Sequence, residues 1–395
     1  MTSTTKEQNN LPLIAAIVGV ATIGGFMFGY DSGAINGTQE GLKLTFGLSE
    51  GALGLTVSAL LPGCAAGAFM AGRLADSLGR RQVMMFAAIL FLFSAMASGA
   101  APTALILAVA RFFAGAAVGA ASVLSPAYIS EVTPASIRGR LSSVQQVMII
   151  SGLTGAFLAN YFLAQSAGSS LGEFWLGYPA WRWMFWVQAI PALLFLVTLL
   201  VIPESPRFLV AKGRNSEAEA VLARLFGPSA AAAKVGEITA SLAADHAPKL
   251  SDLNDPATGK WRKIVWISIG LAVFQQLVGI NVVFYYGAVL WQAVGFSEAD
   301  ALKINILSGA LSIVSCLFAI GLIDKIGRKP LLLIGSIGMA ITLGTLTWCF
   351  SVGTFADGKL SLPEGIGTIA LCAANLYVIF FNFSWGPVMW VMLGE

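Results

Sequence analysis

The pattern Asp76-Ser-Leu-Gly79-Arg80-Arg81 recurs as Asp324-Lys-Ile-Gly327-Arg328-Lys329. Each copy offers a glycine for a tight turn, one acid, and two bases for ion pairs. Each follows the second long apolar segment of its series. One copy alone would be an ordinary basic loop between spans. Two copies at matching places predict a duplicated chain of two helical bundles.

The segments around these turns are apolar near 12–34, 54–72, 82–100, 103–125, 143–165, 184–202, 263–290, 303–323, 331–352 and 367–393. Each approaches the roughly 20 residues that a helix needs to cross a bilayer. The whole chain of 395 residues is 57% hydrophobic and 11% charged, with a mean hydropathy of +0.79. Soluble domains carry about a quarter charged residues, so the fold class is an all-α integral membrane protein. Its 43 glycines are spread through the spans, which fits close helix packing. The segment 1–203 reads as a six-helix bundle, 204–262 as a cytoplasmic linker with short surface helices, and 263–395 as a four-helix bundle. In the linker, Ser216 and Glu219 form a capping-box pattern ahead of Val221, Leu222, Leu225 and Phe226.

Eighteen of the 23 lysines and arginines fall on one side of the membrane if spans alternate from a cytoplasmic N-terminus, against four on the other. The positive-inside bias therefore predicts a multi-pass protein of the cell (inner) membrane with its N-terminus inside. Residues 11–30 form an uncharged run too long for a signal-peptide core, and are read as a retained first helix. The net charge of +3 reflects this asymmetry and points to no nucleic-acid partner. The single histidine, His246, and four cysteines without a Cys-x-x-Cys spacing offer no triad, zinc site or disulfide framework. With no phosphate loop either, no enzyme activity, metal or cofactor is expected.

A second stretch concentrates polarity inside an apolar span: Gln275-Gln276-Leu-Val-Gly279-Ile-Asn281-Val-Val-Phe-Tyr285-Tyr286. Each unsatisfied polar group in hydrocarbon costs several kcal/mol. On a continuous helix, Gln275, Gly279 and Val282 form one stripe, Gln276, Val283 and Tyr286 the next, with Asn281 and Tyr285 between them. So broad a polar face fits a cavity wall, though amides also serve as glue between membrane helices. Amides can donate and accept in one plane, which suits a ligand covered in hydroxyls.

Taken together, these stretches resemble the sugar porter family of the major facilitator superfamily over essentially the whole chain. The resemblance rests on Gly29-Tyr30-Asp31, the run from Gly72 to Arg81, Arg111 with the Phe-Phe-Ala-Gly after it, and Ser130-Glu131 with Arg138-Gly139-Arg140. It continues through Pro203-Glu204-Ser205-Pro206-Arg207, Gln275-Gln276 with Asn281, Asp324 to Lys329, and Gly386-Pro387 with Trp390. Within the family the chain is most similar to bacterial sugar–proton symporters of the xylose type, with glucose facilitators more distant.

The resemblance implies a transporter of two pseudo-symmetric bundles that moves a monosaccharide (hexose or pentose) by alternating access as a monomer in the lipid bilayer. It places sugar-hydroxyl contacts at Gln146, Gln275, Gln276 and Asn281, an aromatic platform at Trp390, and aromatic walls or gates at Phe28 and Tyr285. Two departures stand out: Leu153 and Ser312 occupy positions where the symporter has amides, so the identity of the sugar does not carry over.

Asp31 and Arg111 are the charges placed well inside spans, and intramembrane ionisable residues are functional by default. They could form a static ion pair that fixes helix packing. The resemblance favours a proton switch, since the proton-coupled members carry aspartate at this place. A cytoplasmic charge network is expected from Asp76, Arg80, Arg81, Glu131, Arg138, Arg140, Glu204, Arg207, Asp324, Arg328 and Glu395, latching the halves when the inner side closes. The family has twelve helices and this chain ends after the tenth, so the expectation is a chain cut short of its last two. A uniporter and a truncated, non-transporting sugar sensor or inactive form are the alternatives. Asn36-Gly37-Thr38 matches a glycosylation sequon, but lies close to the membrane.

Overall fold

The computed structural model describes residues 9–134, 137–244, 250–255, 258–356, 359–363 and 365–394. His246, Glu395 and the side chains of Arg138, Arg140 and Asp324 lie outside the described ones. The first six spans comprise α1 (Leu11–Phe46), α2 (Glu50–Ser58) continuing into α3 (Leu60–Leu78), α4 (Arg80–Ala100), α5 (Ala104–Val132), α6 (Arg138–Ala167), and α7 (Ala180–Trp186) continuing into α8 (Ala189–Leu199). A two-stranded hairpin, β1 (Glu173–Trp175) and β2 (Tyr178–Pro179), joins α6 to α7. Three short helices follow: α9 (Pro206–Ala211), α10 (Asn215–Phe226) and α11 (Pro228–Ala244). The last four spans are α12 (Lys263–Leu277) with α13 (Ile280–Ala293), α14 (Glu298–Ile326), α15 (Arg328–Ser351), and α16 (Ile366–Phe383) with α17 (Trp385–Gly394). A second hairpin, β3 (Thr354–Ala356) and β4 (Lys359–Ser361), links α15 to α16. Among the described residues, ten stretches are long and apolar enough to cross a membrane.

Lipid offers no hydrophobic gain for helix–helix contact, so helices associate by close packing of small residues. The α3–α5 pair shows this directly. A Cβ added at Gly63 would lie 2.0 Å from the carbonyl oxygen of Phe112, and one at Gly115 would lie 2.0 Å from that of Leu60. Gly67 and Gly119, one turn further along, meet Ala116 and Cys64 in the same way. Each helix thus presents a Gly-x-x-x-Gly edge to the other. The α1–α6 pair uses the same device, with an added Cβ at Gly152 only 2.0 Å from the Phe26 carbonyl oxygen.

Both copies of the repeated turn fold alike. Gly79 and Gly327 take φ of +105° and +90°, conformations that favour glycine, and their N–H groups close the preceding helices on Ala75 and Ile323. In both, the following arginine returns to the same carbonyl: Arg80 Nη1 to Ala75 at 3.0 Å and Arg328 Nη1 to Ile323 at 3.3 Å. The repeat is therefore one of backbone geometry as well as sequence.

The linker helices are more deeply engaged than surface helices would be. Ala218, Leu222, Leu225 and Phe226 are buried, and the last three join a core cluster with Ile14 and Val18 of α1 and Leu124 of α5. The capping-box reading of Ser216 and Glu219 does not hold. Gly213, at φ +72°, turns the chain so that α10 starts at Asn215, and Ser216 falls inside the first turn. There Arg214 grips Glu217 through two hydrogen bonds, at 2.7 and 2.6 Å, with no side-chain cap.

The glycine contact makes a measurable demand. Gly115→Val should destabilise the protein by at least the roughly 1–3 kcal/mol typical of overpacking, because backbone rather than a side chain must yield. Gly51→Ala, at an open position, should be near neutral. Thermal unfolding of both variants in detergent checks the contrast.

Candidate functional site

The stretch from Gln275 to Tyr286 is not one continuous helix. It breaks at Val278-Gly279, where Gly279 takes φ +89°. The sequence-based stripe of Gln275, Gly279 and Val282 is therefore corrected. Only glycine takes this backbone conformation without cost, and it re-aims α13 relative to α12. A break inside a membrane is tolerated where its freed groups find protein partners. Here the buried Tyr377 hydroxyl donates to the Val278 carbonyl at 2.6 Å.

The break also brings the three amides into a line. Gln276 Nε2 donates to Gln275 Oε1 at 2.7 Å, and Asn281 Nδ2 donates to Gln276 Oε1 at 2.8 Å. Gln275 is buried and Gln276 is exposed. The line uses the oxygen of Gln275 and the nitrogen of Asn281, which leaves a donor at one end and an acceptor at the other.

Helix α17 packs against α6, α12, α14 and α15. A Cβ added at Gly386 would lie 3.5 Å from Gln146 Nε2 on α6 and 3.6 Å from Asn382 Oδ1 on α16. Trp390 lies one turn beyond Gly386 on the same face of α17 and is half-exposed, while Val388 and Met389 are buried. Gln146 of α6 thus faces the side of α17 that carries Gly386 and Trp390, the side that looks across to the first bundle. Phe28, Ser32 and Asn36 follow at four-residue spacing on α1. Phe28 is half-buried against a first-bundle cluster that includes Met27 and Phe91, whereas Tyr285 is buried in a cluster with Ile35 and Leu42 of α1.

Beyond these residues lies a contact that the sequence reading missed. Asn36 Nδ2 donates to the Phe284 carbonyl at 2.7 Å, and Asn36 Oδ1 accepts from the Ala288 N–H at 3.2 Å. Those two backbone groups are the pair that bond each other in a regular helix. Asn305 Nδ2 adds a bond to Asn36 Oδ1 at 2.8 Å, and Gln39 donates to the Tyr285 carbonyl. The sequon asparagine is therefore buried between helices. The available signal was the uncharged run continuing past residue 34 to Gln39, which extends α1 well beyond the expected end. Ser312 is also buried: it donates to the Ser308 carbonyl at 2.7 Å and accepts from Asn382 Nδ2 at 3.1 Å. Leu153 is buried against α1 at Gly33.

Asp31 and Arg111 meet as expected. Arg111 Nη1 lies 2.9 and 3.0 Å from the two oxygens of Asp31, and both side chains are almost wholly buried. One nitrogen serves both oxygens, in place of the two-armed fork that makes the strongest arginine–carboxylate pairs. Arg111 Nε and Nη2 are buried without a hydrogen-bond partner.

At the other end of the first bundle, Glu204 Oε1 accepts from the N–H groups of Arg80, Arg81 and Ser205 at 3.0, 3.2 and 2.8 Å. A carboxylate there neutralises the positive N-terminus of α4. Arg80 lies 3.2 Å from Asp76 and 3.3 Å from Glu131, and Ser205 bonds Glu131. Arg81 bonds the carbonyls of Leu199 and Leu200 at 2.7 and 2.9 Å. These contacts tie the ends of α3, α4, α5 and α8 to one another. Arg207 lies in the first turn of α9.

A ten-span helical protein with a broken helix, a line of amides and a buried ion pair has the architecture of a membrane carrier. Comparison with known proteins makes this specific. The sequence profile of the family described as "Sugar (and other) transporter" matches residues 17–395. A glucose transport protein of Synechocystis is 48% identical over all of this chain and 84% of its own length. The D-xylose-proton symporter of Escherichia coli is 38% identical, over 99% of this chain and 81% of its own length. Among solved structures, the E. coli xylose transporter XylE in a partially occluded inward-open conformation superposes with a TM-score of 0.82 at 36% identity, over 96% of this chain and 87% of that one. XylE bound to 6-bromo-6-deoxy-D-glucose gives 0.82 at 37% identity, over 98% and 82%. The chain belongs to the sugar porter family of the major facilitator superfamily. The likeness to the xylose–proton symporter is the one expected from the motifs.

Removing one partner of a buried ion pair strands the other, at a cost of about 3–5 kcal/mol. Arg111→Met should lose that much stability, while the double change Asp31→Asn with Arg111→Met should recover most of it. Unfolding midpoints of the two variants and the parent test the mutual dependence.

Proposed function

We propose that this chain carries a monosaccharide across the membrane in symport with a proton, by alternating access, with its N-terminus on the cytoplasmic side. The observation that carries the reading is one connected path. The amide line of Gln275, Gln276 and Asn281 sits at the break before α13; α13 is bonded to Asn36 and Gln39 of α1; and α1 carries Asp31 of the buried pair.

In this reading, Gln146, Gln275, Gln276 and Asn281 serve sugar hydroxyls, and Trp390 covers the C–H side of the ring. Tyr285 and Phe28 form aromatic walls. The relatives are described as carrying glucose and D-xylose, and a pocket of amides with one aromatic face suits either a hexose or a pentose. Leu153 and the inward-turned Ser312 offer the ligand little hydrogen bonding, so specificity falls to the remaining amides.

Protonating Asp31 removes the charge that holds Arg111 Nη1. The two spare nitrogens of Arg111 then allow it to re-pair elsewhere, and the packing between α1 and α5 can change. One proton crossing ~100 mV supplies about 2.3 kcal/mol, equivalent to roughly a 50-fold sugar gradient at 1.4 kcal/mol per tenfold. The charges around Gly79 and Gly327, with Glu131, Glu204 and Arg207, form the cytoplasmic latch. Arg80 and Glu131 are mostly buried within it, at 16% and 12% side-chain exposure, and the latch acts as a network.

Two measurements in proteoliposomes test the reading. Asp31→Asn should abolish uptake against a gradient and leave sugar counterflow intact; uphill accumulation by the variant would overturn the coupling role. Gln276→Ala should weaken apparent sugar affinity about 3- to 10-fold, the loss of one hydrogen bond of about 0.5–1.5 kcal/mol. Unchanged affinity would remove Gln276 from the site.

A further inference from the structure

The hairpin between α6 and α7 combines strain, exposure and aromatic density in a way that transport does not explain. Trp175 pairs with Tyr178 across a two-residue tip, Leu176-Gly177, and both tip residues have positive φ, +56° and +76°. Tips of this kind favour Asn-Gly or Gly-Gly, because a side chain fits the left-handed region poorly. Leu176 is the one non-glycine residue with positive φ among the described residues. A large apolar side chain therefore occupies the position least suited to it, and it is 67% exposed, with Trp175 beside it at 60%.

Beneath the tip, the hairpin rests on a column of rings. Trp175 and Phe174 pack on Trp183, at centroid distances of 5.2 and 5.9 Å; Trp183 packs on Trp186 at 5.0 Å, and Tyr178 on Trp186 at 5.1 Å. Trp183 Nε1 donates to the Trp175 carbonyl at 3.1 Å, which ties the hairpin to the helix. Trp183 and Trp186 head a stripe that continues through Ile190, Leu193, Leu194, Val197 and Val201. The last five are exposed on one face of an apolar span, so this stripe faces lipid. The hairpin continues the lipid-facing surface beyond the end of the span. Arg182, at the start of that span, turns its guanidinium to the carbonyls of Gly99 and Ala101 at 2.7 and 2.9 Å, which sets the level at which hydrocarbon gives way to water. Trp and Tyr concentrate at this boundary.

We infer that the hairpin from Glu173 to Pro179 is an interfacial anchor. It lies in the headgroup region of the leaflet opposite the Asp-Gly-Arg turns, with Trp175 and Leu176 inserted among the lipids. Its partner is the bilayer interface itself. Burial of Leu176 in lipid accounts for a leucine at a turn position that favours asparagine or glycine. Through the β1–β2 contacts with α6 and α7, the anchor fixes the height of the first bundle in the membrane.

The test uses the full chain in phosphatidylcholine–phosphatidylglycerol vesicles. Cys64 and Cys372, the cysteines that are not buried, are replaced by alanine, and a nitroxide is attached through Leu176→Cys or, for comparison, Gly51→Cys. The Leu176 label should collide more with dissolved oxygen than with a water-soluble nickel complex, and the Gly51 label should do the reverse. Trp175→Phe, which leaves the turn intact, should lower the emission quenched by headgroup-proximal brominated lipids by the share of one of the chain's ten tryptophans. A Leu176 label as open to nickel as the Gly51 label, or quenching unchanged in Trp175→Phe, overturns the inference. Neither readout depends on transport.

Discussion

Hydrocarbon cannot hydrogen-bond, so every polar atom within the spans must find its partner in protein or in a water-filled cavity. The placement of polar side chains in this chain follows from that constraint. Tyr377 satisfies the carbonyl freed where α12 breaks. Asn160 bonds the Gly33 carbonyl at 2.8 Å, and Ser308 bonds Asn375 at 2.8 Å. Partners run short at Arg111 and at Asn382 Oδ1, and equally at Ser125, Ser170, Trp181 and Gln188. Buried polar groups without partners cost about 1–3 kcal/mol each.

Helix α1 is where these demands converge. One edge is glycine and packs at backbone distance on α6. Another carries Asp31 towards Arg111 on α5, and a third carries Asn36 and Gln39 to α13. The three edges differ in strength and in kind. The glycine edge has no side chains to rearrange, so α1 and α6 move as one body. The other edges are polar and exchangeable, since each hydrogen bond there can be remade with water or sugar at a net cost near 1 kcal/mol. A helix held rigidly on one side and reversibly on two others can hand a change at Asp31 to α13.

How much of this was legible in the sequence depended on the kind of signal. The repeated turns were legible because Gly79 and Gly327 impose a backbone conformation that few other residues take, and the same arginine contact follows in each. The Asp31–Arg111 pair was legible because charge within a span is rare. The amides at 275, 276 and 281 were legible as a set but not in their arrangement: a helical wheel assumes an unbroken helix, and Gly279 breaks it. The Asn36 contact was not legible, because an asparagine bridging two backbone groups on another helix has no signature of its own. The capping pattern at Ser216 failed because Gly213 and the Arg214–Glu217 pair fix the helix start first.

The break in α12–α13 and the Asn36 contact act on the same short helix from its two ends. At its start, Gly279 removes the helical continuity that would hold α13 in line with α12. Further along, the Asn36 amide bonds the Phe284 carbonyl and the Ala288 N–H, and Gly287 leaves room for it: an added Cβ there would meet Asn305 Oδ1 at 2.7 Å. Between these points α13 is tied to α1 by three side-chain hydrogen bonds. Asn281 and Tyr285 lie on that segment, so the amide line is placed by contacts with the helix that bears Asp31. On the proposed assignment, sugar binding to the line and protonation of Asp31 act on one shared element, and each then alters the free energy of the other by the same amount. On that assignment, coupling needs no longer route than the roughly one and a half helical turns from Asp31 to Asn36.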